Sequence, residues 1–353
     1  MKALVAMSGG VDSSVAAALM VEAGHDAVGV TLKQWERPDG GLPTAGCCTV
    51  ADATDARRVA SMLDIPYYVL DHTADFMGSV VEPFVDGYAR GRTPNPCVDC
   101  NRRVRFATLL ERTESLGCDV LVTGHHARVH HSPDGPRLLR AVDRTKDQSY
   151  VLHMLDRSSL TRVRLPIGEM TKAEVRAKAA SLGLPTASKP DSQDLCFVDD
   201  DYRAFVRDRR PQVARPGDIV DRDGEVVGRH EGTVDFTVGQ RRGLGVAVGE
   251  PRYVVEVRPE TATVVIGDRS DLLRSECVVT EVSFVAGSAP EESAVGVKVR
   301  SRGEPVAATL HPKGDRWLVR YVEPQPSAAP GQAAVFYRGD EVLGGGTIVE
   351  EAA

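Results

Sequence analysis

From Lys2 to about Leu184, short runs rich in β-branched residues alternate with stretches in which apolar residues recur three or four positions apart. KALVAM, DAVGVTL, YYVL and DVLVTG have the length and composition of strands, while SSVAAALMVEAG and TDARRVASMLDI read at helical period. Strands that alternate with helices pair in parallel and are covered on both faces. The expected fold is α/β, a doubly wound parallel sheet whose ligands bind outside the carboxyl ends of the strands.

After about Tyr202 the texture changes. RPGDIVDRDGEVVGRHEGTVDFTVGQRRGLG carries Gly or Asp-Gly turn signals every few residues and has no helical period, which predicts a small β domain. From about Cys277, the segments CVVTEVSFV, VGVKVRS, PVAATLHP, RWLVRYV and AAVFYRG repeat that pattern at the spacing of a β-barrel or sandwich. A chain of 353 residues makes two or three domains. The expected division is an α/β catalytic domain over 1–205, a small β-rich central domain over 206–275, and a C-terminal β-barrel over 276–353. No apolar run approaches the roughly 20 residues that span a bilayer, and MKALVAM begins a strand directly, without a signal-peptide pattern. A cytoplasmic protein with no membrane partner is expected.

AMSGGVDSS, Ala6 to Ser14, stands where the first strand meets the first helix. Two glycines let the backbone turn tightly and point successive N–H groups into one concavity. Ser8, Ser13 and Ser14 add hydroxyl donors, and the helix adds its positive end. This is a site for a polyphosphate. Asp12 either holds the Mg2+ that accompanies ATP or caps the helix. The loop lacks the Gly-Lys-Ser/Thr ending of a P-loop and the three-glycine spacing of a dinucleotide fingerprint. It resembles the SGGxDS pyrophosphate loop of the ATP pyrophosphatase family. That resemblance implies cleavage of ATP between the α and β phosphates, with AMP transfer and pyrophosphate release.

Seven cysteines, an odd count, argue for thiol chemistry or metal at a few positions rather than a disulfide framework. Cys118 and Cys277 read as small buried hydrophobes; Cys47 and Cys48 are adjacent. In TPNPCVDCN, Cys97 and Cys100 are followed by no second ligand pair at zinc-site spacing, and the prolines with Asn95 make a loop rather than a redox turn. Cys100 precedes NRRVRFATLLERT. A helix N-terminus and Arg102, Arg103 and Arg105 would favour its thiolate, making it a nucleophile candidate. The same arginines suit an RNA phosphate or a plain solvated helix face. Cys196, in SKPDSQDLCFV, lies in a polar loop and reads as accessible.

AMSGGVDSS, TPNPxxxCN, TGHHA, KDQSYVL, SKPDSQDLCF, GQRRGLG and PGQAAVFY occur in order over nearly the whole chain. In this the sequence is similar to the bacterial tRNA-specific 2-thiouridylases, which replace the C2 oxygen of the wobble uridine, position 34, by sulfur. The resemblance implies that Ala6, Met7, Ser8, Gly9, Gly10, Val11, Asp12 and Ser13 hold ATP with Mg2+. Leu32 and Gly124 would line its adenine or ribose side. It makes Cys100 and Cys196 the catalytic pair: an upstream carrier loads a persulfide on Cys196, and Cys100 attacks it, leaving a transient Cys100–Cys196 disulfide. Direct attack of the persulfide on the activated C2 is equally compatible. Asn95, Pro96 and Cys97 would touch the target base. His125, Lys146, Asp147, Gln148, Ser301, Arg302 and Gln332 would meet the tRNA anticodon arm, with GQRRGLG as a phosphate clamp.

Better-known members of that family carry Asp where this chain has Cys97, so either Asp99 takes the carboxylate role or none is needed. Three thiols, Cys97, Cys100 and Cys196, also suit an iron–sulfur cluster with one open iron position, the alternative to the persulfide route. Two other functions share parts of the pattern. A small-molecule adenylating synthetase would use the loop but not the thiols, and a noncatalytic RNA-binding module would use the β domains but not an intact SGGVDS.

Overall fold

The computed structural model describes residues 1–36, 49–191, 195–198, 201–246 and 249–350. Cys47, Cys48 and residues 192–194 of the SKPDSQDLCF motif lie outside the described residues.

The first domain contains β1 (Lys2–Ala6), β2 (Asp26–Lys33), β3 (Tyr67–Asp71), β4 (Val120–Val122), a hairpin of β5 (Ala127–Ser132) and β6 (Gly135–Arg140), and β7 (Val163–Arg164). All but the hairpin form a parallel sheet in the order β3-β2-β1-β4-β7. The period of two in β1 assigns its faces. Ala3 and Val5 pack against α1 (Val11–Glu22), α2 (Val50–Met62) and the helix Lys172–Ser181, while Leu4 joins Val28, Val30, Phe106 and Leu109 on the other side. Both faces are covered, as a doubly wound sheet requires. The chain goes outward from β1 through β2 to β3, then returns to the other side of β1 for β4 and β7. The carboxyl ends of β1 and β4 therefore flank the point where strand order reverses, and ligands of such sheets bind there.

The central β domain holds β8 (Gly217–Val220), β9 (Val226–His230), β10 (Tyr253–Arg258) and β11 (Thr263–Gly267), ordered β10-β11-β8-β9 over a core that includes Ile219, Phe236, Val254 and Ile266. The C-terminal domain holds β12 (Leu273–Phe284), β13 (Ala294–Lys298), β14 (Val306–Lys313), β15 (Arg316–Pro326), β16 (Ala333–Arg338) and β17 (Glu341–Val349). They run in the order β12-β15-β14-β13-β16-β17, and β12 pairs again with β17, which closes the barrel. β17 is absent from the strand expectations, because EVLGGGTIV has three glycines where a strand signal would sit. The barrel needs them: a Cβ on Gly344 would stand 2.2 Å from the Ser283 carbonyl oxygen of the paired strand.

The two outer domains are not separable in the way a linear division suggests. The β5–β6 hairpin extends the barrel's sheet, with β6 antiparallel to β17 through Leu139–Glu341 and Leu138–Val342. Leu138, Tyr150, Val335, Tyr337 and Val342 share one core with the parallel sheet. Beside it, Arg140 holds buried Asp147 at 3.2 Å and Glu304 at 3.0 Å, and the Tyr150 hydroxyl donates to the Ala333 carbonyl at 2.7 Å. Among the described residues, no helix is long and apolar enough to cross a membrane.

Candidate active site

The turn after β1 is organised by its own hydroxyls. The Ser8 N–H donates to Ser13 Oγ at 3.1 Å, and the Ser13 and Ser14 hydroxyls both donate to the Gly10 carbonyl, at 3.1 and 2.8 Å. Gly9 is in the left-handed region (φ 71°), and a Cβ there would meet the Asp52 carbonyl oxygen at 2.1 Å, so α2 closes directly on the loop. Gly124, at the end of β4, touches the loop from the other side: its Cβ would stand 2.5 Å from the Ser13 nitrogen. Leu32 lies at the carboxyl end of β2, buried.

Asp12 does not cap α1. The cap position belongs to Gly10, and the Asp12 carboxylate lies between Lys172 Nζ, at 2.7 and 2.8 Å, and His126 Nε2, at 3.2 Å. Burial alone would raise its carboxyl, but the hydrogen bonds and charges of His126 and Lys172 hold it below the ordinary value. Lys172 also reaches Asp191 at 3.0 Å, which Lys146 and Arg176 hold at 2.8 and 2.7 Å. Against the effect of burial, the lysine partners pull Asp191 down to about 2. On the other flank, Lys189 Nζ bridges the Gly9 carbonyl (3.0 Å), Asp52 (2.6 Å) and Asp55 (2.7 Å). Two ammonium groups thus stand beside a loop shaped for polyphosphate. Sequence reasoning missed both. Lys189 was within reach as part of SKPD, and the Thr171–Glu174 capping box placed Lys172 at the start of a helix.

The thiols sit in a second part of the site. The helix begins earlier than expected, at Pro96, because Asn95 Oδ1 caps the Val98 N–H (3.4 Å) and proline suits the first helical position. Cys97 is therefore exposed in the first turn, whereas Cys100 is buried at the start of a π-helical stretch, Cys100–Arg105, one turn in. Helix N-terminal activation consequently falls less on Cys100 than its sequence position suggests. A residue not anticipated acts on it instead: buried Gln34 donates its amide to Cys100 Sγ at 3.2 Å. Cys100 packs in an apolar cluster with Trp35, Phe84 and Phe197, and Cys196, partly buried, packs against the same cluster. Two thiols far apart in sequence thus contribute to one apolar cluster. Asp99 is half-buried, and burial raises its carboxyl despite Arg103 and Arg102 nearby.

The other anticipated contacts divide. Ser301 and Arg302 are exposed, and Gln148 is exposed while its Oε1 accepts the His126 N–H at 2.8 Å. Gln332 Nε2 donates to the Thr93 carbonyl at 2.7 Å, which ties the barrel to the TPNP loop. Asp147 is buried in the ion-pair network with Arg140 and accepts from the Ser149 N–H and hydroxyl. His125 is buried too, stacked on Phe106 with its Nδ1 at 2.8 Å from Thr123 Oγ1.

Burial pushes His125 down to about 3 and His153 down to about 4. The unfolded chain takes up these protons near pH 6.5 and the folded one does not. Stability is therefore full above about pH 6.5 and falls on acidification, by up to about 1.4 kcal/mol per pH unit for each histidine. Urea unfolding at pH 7.5 and 5.0 should show that loss, reduced in His125→Gln; an unchanged pH dependence in the variant would count against a buried neutral ring.

Neither metal proposal gains a ready-made cage. Among the described residues, no group of three or more His, Cys, Asp or Glu side chains is placed to hold a metal ion. Mg2+ needs none, since it rides on nucleotide phosphates with one or two carboxylates, and Asp12 at the loop is a fitting donor. An iron–sulfur cluster does need one. Among the described residues Cys97 is exposed, Cys100 is buried and no three thiols are gathered as a metal-ion site, so the structure gives the cluster no support.

The sheet, with a phosphate loop at its switch point, defines the α/β domain of the PP-loop, or HUP, class. Three sequence families cover the chain in order: tRNA methyl transferase HUP domain over residues 1–200, tRNA methyl transferase PRC-barrel domain over 203–268, and aminomethyltransferase beta-barrel domain over 274–348. The chain is 49% identical to the tRNA-specific 2-thiouridylase MnmA of Chloroflexus aurantiacus, over 98% of this chain and 97% of that protein. It is 48% identical to the same-named protein of Carboxydothermus hydrogenoformans, again over 98% and 97%. The chain belongs to the tRNA-specific 2-thiouridylase family. Among solved structures, a 4-thiouridine synthetase in complex with RNA and ATP matches 60% of this chain and 50% of its own, at 18% identity and a TM-score of 0.37.

Proposed function

We propose that the protein catalyses ATP-dependent 2-thiolation of the wobble uridine of tRNA in the cytoplasm. The observation that carries this reading is the packing of Cys100 and Cys196 on one apolar cluster, in a domain whose phosphate loop sits at the switch point of the sheet. A uracil carbonyl oxygen is a poor leaving group, but leaves readily once adenylated. With ATP on residues 6–13, O2 of the base attacks the α phosphorus and pyrophosphate departs. Lys172 and Lys189 stand where they can exchange carboxylates for phosphate oxygens and offset charge that builds during transfer. Mg2+, bound to the phosphates beside Asp12, would neutralise part of the same charge.

Sulfur arrives as a persulfide on Cys196, loaded by an upstream carrier. Cys100 thiolate attacks the Cys196 sulfur and releases sulfide, which adds to C2 and expels AMP. The alternative order has the persulfide attack C2 first. Both leave a Cys100–Cys196 disulfide that an external dithiol reduces. Gln34 stabilises negative charge on Cys100. Methyl transfer, which two family names evoke, has no use for a polyphosphate loop or for paired thiols.

The test is AMP formation with an unmodified tRNA transcript, a persulfide donor and a reductant. Turnover should depend on tRNA, and the recovered tRNA should contain 2-thiouridine. ATP turnover without RNA would favour a small-molecule synthetase, and no turnover at all an RNA-binding module; either result overturns the reading.

A further inference from the structure

We propose that the cavity where the three domains meet is a separate RNA subsite, taking a phosphodiester of the anticodon loop next to the target uridine. This inference rests on the tRNA reading above. The cavity, of about 670 Å³, is lined by Thr93 of the catalytic domain, Arg203 at the head of the Tyr202–Arg209 helix, Arg241 and Arg242 of GQRRGLG, and Arg300 and Gln332 of the barrel. Arg203 lies 3.4 Å from Asp201 and 3.7 Å from Asp235. Arg241, Arg242 and Arg300 are exposed and have no ion-pair partner among the described residues, and no described lining residue is a carboxylate. Three unneutralised guanidinium groups in one concavity of a chain with net charge −7 form a local positive focus. Guanidinium forks match phosphate oxygens.

Hydrogen bonds organise the turn that presents Arg241 and Arg242. Gln240 accepts the Thr237 N–H and donates to the Arg242 carbonyl, both at 3.0 Å, while the Gly239 N–H donates to Val254 at 2.8 Å. Gly239, at φ 88°, leaves room for Arg300, whose Nη2 would stand 3.3 Å from a Cβ there. The lining aromatic, Tyr202, has its ring 4.8 Å from Tyr88 and 4.8 Å from the Arg203 guanidinium, so it offers poor stacking for a base. Such a cavity reads backbone rather than sequence. The chain also links it to the chemistry: the Thr93 N–H donates to the Pro330 carbonyl at 2.7 Å and its carbonyl accepts from Gln332, and from Thr93 the chain runs directly into Asn95, Cys97 and Cys100.

The experiment uses the full-length protein, an unmodified tRNA transcript, and the same RNA carrying a single neutral methylphosphonate at successive anticodon-loop linkages. Arg241→Ala/Arg242→Ala should weaken tRNA binding about 10- to 100-fold. It should also flatten the dependence of log affinity on log salt by about 0.7 for each phosphate that is no longer neutralised. ATP affinity without RNA should be unchanged. One linkage flanking the target should weaken wild-type binding when neutralised, yet add nothing in the double variant. Arg300→Gln, on another domain, should show the same linkage and serves if the double variant fails to fold. Unchanged affinity and salt slope, or full additivity at every linkage, overturns the subsite. A wild-type protein that does not thiolate tRNA would instead sink the functional reading.

Discussion

Replacing Cys100 by serine is expected to lower 2-thiouridine formation by about a thousandfold or more, while tRNA-dependent pyrophosphate release survives as a single stoichiometric burst. A serine hydroxyl cannot displace sulfide from a persulfide, but it fits the same pocket and keeps a partner for Gln34, so adenylation proceeds and the activated RNA stalls. Cys196→Ser should abolish thiolation as completely and additionally remove the persulfide detectable by thiol labelling. Cys97→Ala, an exposed change in the first turn of the helix, should leave thiolation within about twofold. Quantifying 2-thiouridine by mass spectrometry alongside pyrophosphate separates the two half-reactions. A Cys97→Ala loss as deep as that of Cys100→Ser, with bound iron disappearing, would reinstate the three-thiol cluster.

Gly124→Ala should be as damaging to the other half-reaction. The added methyl would meet Ser13 N at 2.5 Å, the Asp12 carbonyl carbon at 2.7 Å and Ser13 Cα at 2.9 Å, all backbone at the head of α1. No side chain can swing away, so loop and strand end must separate. Overpacking of this kind destabilises by about 1–3 kcal/mol, and displacing reacting groups by ~1 Å lowers rates by about a hundredfold. Tight ATP binding and pyrophosphate release should both fall, with a lower urea midpoint. Gly78→Ala, at a helical position with nothing within 4 Å, is the control and should leave both unchanged. Normal adenylation in Gly124→Ala would mean that the loop does not need the contact.

The parallel sheet and the loop were legible in the sequence because each is a local signal: alternation of period, and two glycines between a strand and a helix. The thiol pair emerged only through family resemblance, since nothing local around Cys196 says that it joins the apolar cluster that holds Cys100. Lys172 and Lys189 stayed hidden because a lysine carries no period; its meaning comes from the carboxylates that folding sets opposite it. For Asp12 the sequence left two roles open, Mg2+ or a helix cap. Gly10 takes the cap position, and the Asp12 carboxylate meets Lys172. β17 escaped because glycines chosen for backbone proximity erase the side-chain pattern by which strands are recognised.

The β5–β6 hairpin gives the molecule a fixed gauge. Because β6 is hydrogen-bonded into the barrel sheet through β17, and its Leu138 is buried in the core shared with the parallel sheet, barrel and nucleotide domain cannot slide past each other without breaking a ladder. For the RNA substrate proposed above, a stem held on the barrel would have to bridge a span set by backbone geometry rather than by a flexible linker. Stem length, measured from the barrel to the reactive nucleotide, would then weigh in substrate choice independently of base identity.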